Sequence, residues 1–586
     1  MAKRNYIGLS CSGHDSALAI VDSAGDIVFA EAAERSLQRK RAIDAPSDDL
    51  LEIRTLVEEY CEVDAEIVVC KTWSDGSERF VRETAAHLAQ LIATLEVSRR
   101  GATSKRARVT WDYMLRRARM GLQISSLQQT ANANAGRNLA FHHGERVSDV
   151  RAYEHHLTHA ALGCFTSPFS EAVCVVADGM GEGRTLSCYR YEDGRLQSLG
   201  DARIDPEPPY GLGLFYADLC LLCGFDPWKG EEWKVMGLAG YGRTDASLRS
   251  LLNRCLELDG LHFGRPVSEA ATLARLLGDG IANDWVRRAD IAHAGQQVFE
   301  DTLITVCESA RKLADSKNLV LCGGCALNSG ANGKLIGRTR FDRLYIPCAP
   351  ADDGNAIGAA LLGYFEDESD ARPRKNFQSP YLGSCVSRES LERTAGICGF
   401  AHVERLGDAD LCSEVARRLC EGAVVGWVQG RAEFGPRALG NRSILADPRD
   451  SKMRDRINRT VKFREEFRPL APAILAEFGD KYFEGYQEAP YMERALPWRC
   501  QVRQSVPATV HVDGTGRVQS VRASWNPLFH RLLTQFHERS GVPVLVNTSF
   551  NVMGKPIVHS VEDAMAVFAT SGLDVLVIGA YLFAKQ

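Results

Sequence analysis

The sequence predicts an α/β protein of two domains, the first of them internally duplicated. Three observations carry this expectation. The 586 residues are 45% hydrophobic and 25% charged, a globular balance with length for more than one core. One strand-loop-strand-turn-strand pattern occurs twice in the first 203 residues. The chain also changes character near residue 370, from Gly-rich loops between apolar runs to a charged, Pro-containing stretch.

The first copy of the pattern reads "YIGLSCSGHDSALAIVDSAGDIVFAEAAE" (6–34), and the second "AVCVVADGMGEGRTLSCYRYEDGRLQSLGDAR" (172–203). In each, an apolar run meets a polar Gly-containing loop, then a second run, a turn and a third run, which predicts a three-stranded meander. Such a duplication resembles the actin and sugar-kinase (ASKHA) class, where two such loops face a cleft and surround nucleotide phosphates. Strand-loop-helix units follow in "NLVLCGGCALNSGANGKLIG" (318–337) and "RLYIPCAPADDGNAIGAALLGYF" (343–365), with Asp352 and Asp353 at a helix start. The segment 366–387 reads as a linker. The domains are therefore expected at 1–370 and 388–586, joined by 371–387. The second domain opens with a helix at 408–420 and a strand "AVVGWVQG". It closes with the strands "VPVLVNTSF" and "VLVIGAYLF".

Composition excludes some classes. The net charge of −5 gives no basic footprint for nucleic acid. No apolar run approaches the ~20 residues of a membrane span, and "MAKRNYIGLSCSGHDSA" has no signal-peptide core. The 18 cysteines sit singly in apolar segments, as reduced core residues of a cytoplasmic protein do. The two Cys-x-x-Cys pairs, Cys220/Cys223 and Cys322/Cys325, are expected in the core rather than on zinc.

Two groups of residues point to chemistry. In "YEHHLTHAALGCF" (153–165), His155 and His159 are four apart on one helix face, a good spacing for two ligands. Asp178 ends the run "AVCVVAD", and Asp353 could approach from the other lobe. Two His and two Asp make a mixed N/O site suited to Fe(II), Mn or Zn. In the second half, "GRAEFGPRALGNRSILADPR" (430–449) and "TVKFREEFRPLAPA" (460–473) place Arg431, Arg437, Arg442, Arg449, Lys462, Arg464 and Arg468 among turns. "HVDGTGRVQSV" and "VNTSFNVMGKPIV" add His511, Arg517, Asn547, Ser549 and Asn551. Arginine forks with neutral amides suit a small, doubly anionic, amide-bearing molecule such as carbamoyl phosphate.

"EHHLTHAA", "DGMGEG", "EEWKVMGLAGYG", "GGCALN" and "DDGNAIGAA", in that order, resemble the NodU/CmcH carbamoyltransferase family, and the four later segments resemble its YrdC-like domain. The resemblance implies an ASKHA-type domain followed by a YrdC-like one. It implies ATP, with Mg²⁺, and carbamoyl phosphate as co-substrates, joined as a carbamoyl-adenylate. It implies iron, as Fe(II) or another divalent transition metal, on His155, His159, Asp178 and Asp353, with Asp352 the adjacent alternative. Gly179, Glu182, Lys234, Gly323, Gly324, Asn328 and Asn332 would lie near the nucleotide, and Lys40 near acceptor or phosphate. His14 would act on the acceptor hydroxyl as base or orienting group. Arg437, Lys462, Arg464 and Arg468 would hold phosphates, with His511 on carbamoyl phosphate and Arg442, Ser443, Arg517, Asn547, Ser549 and Asn551 around them.

The implied acceptor is a hydroxyl of a small-molecule natural product, and the implied protein a monomer or homodimer. Threonylcarbamoyl transfer to tRNA, an actin-like small-molecule kinase and an ATP-binding regulator are the rival readings. The segment 75–148 matches weakly. Its "SRRGATSKRARVTWDYMLRRARMGLQ" predicts an amphipathic helix with a solvated basic face.

Overall fold

Residues 3–49, 51–203, 210–264, 276, 284–400 and 402–585 are described by a computed structural model of the chain. They divide into two compact units, one drawn from 1–33, 41–327 and 338–378, the other from 34–40, 328–337 and 379–586.

The first unit is built on two five-stranded sheets of identical topology. Strands β1 (Arg4–Ser10), β2 (Ala17–Val21) and β3 (Ile27–Ala32) form an antiparallel meander, and β4 (Glu66–Thr72) and β5 (Val147–Tyr153) continue it in parallel beyond β1. The second meander is β6 (Glu171–Gly181), β7 (Arg184–Glu192) and β8 (Arg195–Arg203). A small hairpin, β9 (Glu257–Asp259) and β10 (His262–Gly264), stands apart. Strands β11 (Asn318–Cys322) and β12 (Arg343–Tyr345) then extend the second sheet in parallel beyond β6. The orders β3-β2-β1-β4-β5 and β8-β7-β6-β11-β12 correspond strand for strand. Both meanders expected from the sequence are present. Strand β1 reads as a continuous apolar run because six of its seven residues are buried, as in strands covered on both faces.

Parallel neighbours need crossovers, and these supply the helices. The β4–β5 crossover is a helical hairpin, Ser77–Arg100 and Lys105–Asn134, with its own small core of Leu88, Leu95, Leu115 and Ala118. Ser104 caps the second helix by accepting the Ala107 N–H at 3.1 Å. The basic segment is thus part of a packed hairpin. Helix His155–Phe165 follows β5, and helix Asn355–Asp367 follows β12. These two helices touch so closely that a Cβ at Gly358 would overlap the Thr158 carbonyl oxygen, so only glycine fits there.

The second unit holds one nine-stranded sheet. Its strands are β13 (His402–Arg405), β14 (Val425–Val428), β15 (Arg442–Ala446), β16 (Ala471–Leu475), β17 (Arg494–Pro497), β18 (Thr515–Val521), β19 (Val544–Ser549), β20 (Val575–Ile578) and β21 (Tyr581–Ala584). They lie in the order β13-β21-β20-β14-β15-β19-β16-β18-β17. Alternate residues of β14 feed two cores: Val425 and Trp427 join Phe529 and Phe536 on one face, while Val428 joins Ile444, Val546 and Phe583 on the other.

Two segments distant in sequence complete this unit. Arg35 Nη2 donates to Gly435 O (2.8 Å), and Gln38 Nε2 to Ile557 O (3.0 Å). From helix Ser329–Arg338, Asn332 Nδ2 donates to Glu493 O (2.8 Å). Fourteen of the 18 cysteines are buried, among them both Cys-x-x-Cys pairs, and none is in a disulfide. No helix among the described residues is long and apolar enough to cross a membrane.

Candidate active site and metal centre

In the first unit, helix His155–Phe165 begins at the end of β5, with Glu154 accepting the N–H groups of His156 and Leu157 at 3.0 and 2.9 Å. This fixes the first turn and puts His155 and His159 on one face. Their Nε2 atoms lie 3.2 Å apart and both are wholly buried. Asp178, in β6, brings Oδ2 to 3.5 Å from His155 Nε2. Asp352 brings Oδ1 to 3.6 Å from His155 Nε2 and 3.5 Å from His159 Nε2. One ligand atom from each of the four lies within 4.8 Å of the others. A four-coordinate ion with bonds of about 2.1 Å spaces its ligands about 3.4 Å apart. The donor set and its spacing fit a divalent transition metal.

The carboxylate that lies beside both histidines is Asp352 rather than the expected Asp353. Asp353 Oδ1 turns back to accept the Gly354 N–H at 3.0 Å, at the start of the helix. The two sit in a tight turn, Asp352–Gly354, where consecutive side chains diverge by about 120°. Only one can face His155.

Burial opposes charge on His155, Asp178 and Asp352, so their charges must compensate one another. Burial disfavours the imidazolium of His155, yet Asp352 and Asp178 hold it well above the ordinary histidine range. The Asp352 carboxyl is likewise held far down, by His155 above all, against burial. The carboxylates demand positive charge here, and a divalent cation supplies it as protons do. His156 faces away, with Nδ1 2.8 Å from Ser187 Oγ; burial and the neighbouring His155 push it well below the ordinary range.

The surrounding residues brace this set. Gly324 N–H donates to Asp178 Oδ1 at 2.9 Å. Gly323 (φ 85°) makes the turn that brings it there, where a Cβ would strike Ala177 O. Glu182 is a brace: it accepts the His155 and Ser74 N–H groups at 3.0 and 2.8 Å, and the Ser74 hydroxyl. Gly179 has open space around its Cβ position. Lys234 Nζ pairs with Glu231 (2.6 Å) and lies 5.3 Å from the centre of the Phe225 ring.

His14 Nδ1 lies 3.7 Å from Asp352 Oδ2 and 2.9 Å from Asp15 Oδ2. Asp15 and its partner Arg41, bonded at 2.9 Å, carry no motif of their own in the sequence. Two backbone bonds zip their loops together, Asp15 N to Arg41 O (2.6 Å) and Asp44 N to Gly13 O (3.0 Å). Asp15, Arg41, Ala42 and Asp44 all have positive φ, from 41° to 62°. Strain of roughly 1 kcal/mol or more at each is typical of functional sites.

The second unit gathers a cationic cluster. Residues Ile457–Lys462 form a wide π-type helical turn, a device common at functional sites, and Lys462 ends it. Its Nζ donates to Ser549 O (2.6 Å), Ser549 Oγ (3.0 Å) and Asn551 Oδ1. Buried Asn458 accepts from Arg464 Nε (2.8 Å) and donates to Arg468 O (3.0 Å), fixing both residues. Arg468 pairs with Glu465 at 2.5 Å. Burial pushes Lys462 well down, reinforced by Arg464 and Arg468. Burial and then Arg517 do the same to Arg437. Burial, with Arg468 and Arg517, brings Arg464 to about 9. It brings Arg517 to about 10 and His511 to about 4. Cations crowded together in this way are suited to receive an anion.

Other expected residues hold the cluster's frame. The Arg442 guanidinium is spent on the carbonyls of Gln429, Gly430, Asn441 and Ser384 at 2.7–3.2 Å. Ser443 Oγ accepts the Gly440 N–H (3.0 Å). Asn547 Nδ2 donates to Ala438 O and Gln519 Oε1 (3.2 and 2.7 Å), tying down the loop after Arg437. Arg431 donates to Gly383 O, and Arg449 pairs with Asp447. Asn328, Asn332 and Lys40 belong to this unit, not the first, by their contacts. Asn328 caps its helix by accepting the Ala331 N–H (3.0 Å), and Lys40 is exposed and pairs with Glu34 at 3.2 Å.

The carbamoyltransferase N-terminus family matches residues 5–361, and the carbamoyltransferase C-terminus family residues 416–585. An uncharacterised protein of Synechocystis sp. is 33% identical over 99% of this chain and 97% of its own. Nodulation protein NolO of Bradyrhizobium diazoefficiens is 35% identical over 74% of this chain and 79% of its own. The 3'-hydroxymethylcephem-O-carbamoyltransferase of Amycolatopsis lactamdurans is 33% identical over 61% and 65%. Among solved structures, T. kodakarensis HypF aligns at a TM-score of 0.30 and 12% identity over 64% of this chain and 50% of its own, too distant to carry an argument. Both family matches and the named relatives make the chain a group-transfer enzyme. It belongs to the carbamoyltransferase family, as a NodU/CmcH-type O-carbamoyltransferase.

Proposed function

We propose that the chain is an ATP-dependent O-carbamoyltransferase that takes carbamoyl phosphate through a carbamoyl-adenylate to a hydroxyl of a small-molecule natural product. The observation that carries this reading is the cluster of buried Lys462 with half-buried Arg437, Arg464, Arg517 and His511, each depressed by its burial. Such a cluster suits two phosphorylated substrates. Water would hydrolyse carbamoyl phosphate to carbamate and phosphate, and the carbamate oxygen would attack the α-phosphorus of Mg²⁺-bound ATP, expelling pyrophosphate. Arg437, Lys462, Arg464 and Arg468 would hold the phosphates and meet the developing charge. His511 and Arg517 would orient the carbamoyl end. Carbamate is a poor acyl donor, and the adenylate gives it a good leaving group.

In the first unit, His155, His159, Asp178 and Asp352 would hold a divalent transition metal, iron by the family resemblance. When bound, it would supply a Lewis acid for adenylate oxygens. His14 would take the proton of the acceptor hydroxyl as that oxygen attacks the carbamoyl carbon and AMP leaves. The matched sheets of the first unit support an ASKHA-type domain, with 388–586 as the YrdC-like domain. The relatives named for nodulation and cephem carbamoylation support a natural-product acceptor. The test is pyrophosphate release that requires both ATP and carbamoyl phosphate. Activity lost in Arg437→Ala and retained in His155→Ala supports the reading; no pyrophosphate from folded wild-type protein overturns it.

A further inference from the structure

His14, Asp15 and Arg41 form a triangle of polar contacts. His14 Nδ1 and Arg41 Nη2 each lie 2.9 Å from Asp15 Oδ2, and 3.1 Å from one another. Arg41 Nε adds a second bond to the same oxygen at 3.1 Å. A guanidinium only donates and a carboxylate only accepts, so the one open choice is whether Nδ1 carries a hydrogen. With Nδ1–H, both donors satisfy Oδ2; with a bare Nδ1, Arg41 Nη2 would donate to it at 3.1 Å. That bare Nδ1, however, would also set its lone pair against the carboxylate at 2.9 Å, a repulsive contact. The first arrangement is the consistent one. In a neutral ring it leaves Nε2 as the bare, basic nitrogen. No hydrogen bond from a described residue reaches that atom.

We infer that Asp15 and Arg41 are positioning residues that fix His14 in the Nδ1–H tautomer and leave Nε2 to accept a proton from the acceptor hydroxyl. Arg41 acts through Asp15. The inference deepens the proposed function and rests on it for the identity of the proton donor. The backbone supports it independently: neither Asp15 (φ 52°) nor Arg41 (φ 62°) is glycine, and each is held left-handed by their shared bond, Asp15 N–H to Arg41 O. Arg41 is also pinned on its far side, with Nη1 on Pro227 O at 3.2 Å and Glu232 facing its charge. Burial disfavours the Asp15 carboxylate, but Arg41 and His14 hold it at about 2, so it stays an acceptor. In the balanced step, the hydroxyl proton passes to Nε2 and the oxygen bonds to the carbamoyl carbon. The carbon–oxygen bond to the phosphate breaks, and its electron pair leaves with AMP. The logic is that of a histidine oriented by a carboxylate.

The test is the ¹⁵N spectrum of protein labelled at histidine, at about pH 9, where unperturbed imidazole is neutral. The His14 signals are identified by their loss in His14→Gln. The expected result is a protonated Nδ1 and a bare Nε2 in the wild type, reversed or mixed in Asp15→Asn. Arg41→Lys is expected to keep the wild-type pattern and Arg41→Gln to blur it, which covers the case that Asp15→Asn fails to fold. AMP release from preformed carbamoyl-adenylate is expected to fall about 100-fold in Asp15→Asn, in kcat rather than KM. A bare Nδ1 in the wild type, or an unchanged tautomer in folded Asp15→Asn and Arg41→Gln, overturns the inference. The resting spectrum uses no adenylate, so absent pyrophosphate release would overturn the proposed function alone.

Discussion

Replacing Asp352 and Asp353 one at a time separates two adjacent carboxylates that the sequence does not distinguish. Asp352 Oδ1 lies 3.5 and 3.6 Å from the two imidazole Nε2 atoms, whereas Asp353 Oδ1 accepts a backbone N–H in its own turn. Loss of a residue that merely orients a ligand costs roughly 10–100-fold in metal affinity. Loss of a direct ligand from a set of four should therefore cost at least about 100-fold, or ~2.7 kcal/mol. Asp353→Ala removes the bond it accepts from Gly354 N–H at a helix start, worth ~1 kcal/mol of stability, with metal affinity changed less than about tenfold. The assay is competition of Fe(II) or Zn(II) binding against a chelating dye, with metal content per chain after dialysis. Metal retained by Asp352→Ala and lost from Asp353→Ala would refute the reasoning.

Further expectations follow from the second unit and the hairpin. His511 sits near pH 4 in the fold, against an ordinary value of about 6.5, so between these pH values the unfolded chain binds more protons. Stability is therefore expected to fall as pH drops from 6.5 towards 4, by ~2–3 kcal/mol from this group, in denaturant titrations; His511→Asn should flatten that window. Phosphate or pyrophosphate should raise the melting temperature of the wild type and not of Lys462→Met, read by thermal shift. Leu115→Ala should cost ~2–3 kcal/mol locally, because Leu115 lies in the hairpin's small core. Faster proteolysis between residues 98 and 110, with the remaining sheets unchanged, is the expected readout.

Much of the first unit is legible in the sequence because turn residues punctuate apolar runs. "DSAGD" closes β2–β3 through Asp22 Oδ1, which accepts the Ala24 and Asp26 N–H groups at 2.9 Å. The His155/His159 pair is legible because helical spacing alone puts both on one face. The phase of the Asp352–Gly354 turn is not, since a sequence gives no azimuth for three residues. Nor is the membership of 34–40 and 328–337 in the second unit, which rests on bonds such as Arg35 to Gly435 across 400 residues. Arg442 and Asn547 read as ligand-binding because arginine and asparagine serve phosphates and carbonyl oxygens equally well. Only their burial among carbonyl groups tells the two apart. Asp15 stood beside His14 and Arg41 beside Lys40. Their pairing depends on two left-handed loops that no periodicity announces.

The central claim is that the cationic cluster makes an adenylate. Purified protein with ATP, carbamoyl phosphate and Mg²⁺, and no acceptor, is expected to form pyrophosphate and a carbamoyl-adenylate visible by mass spectrometry. The yield should fall about 100–1,000-fold in Arg437→Ala. Folded wild-type protein that releases no pyrophosphate, or releases it without carbamoyl phosphate, would contradict the account.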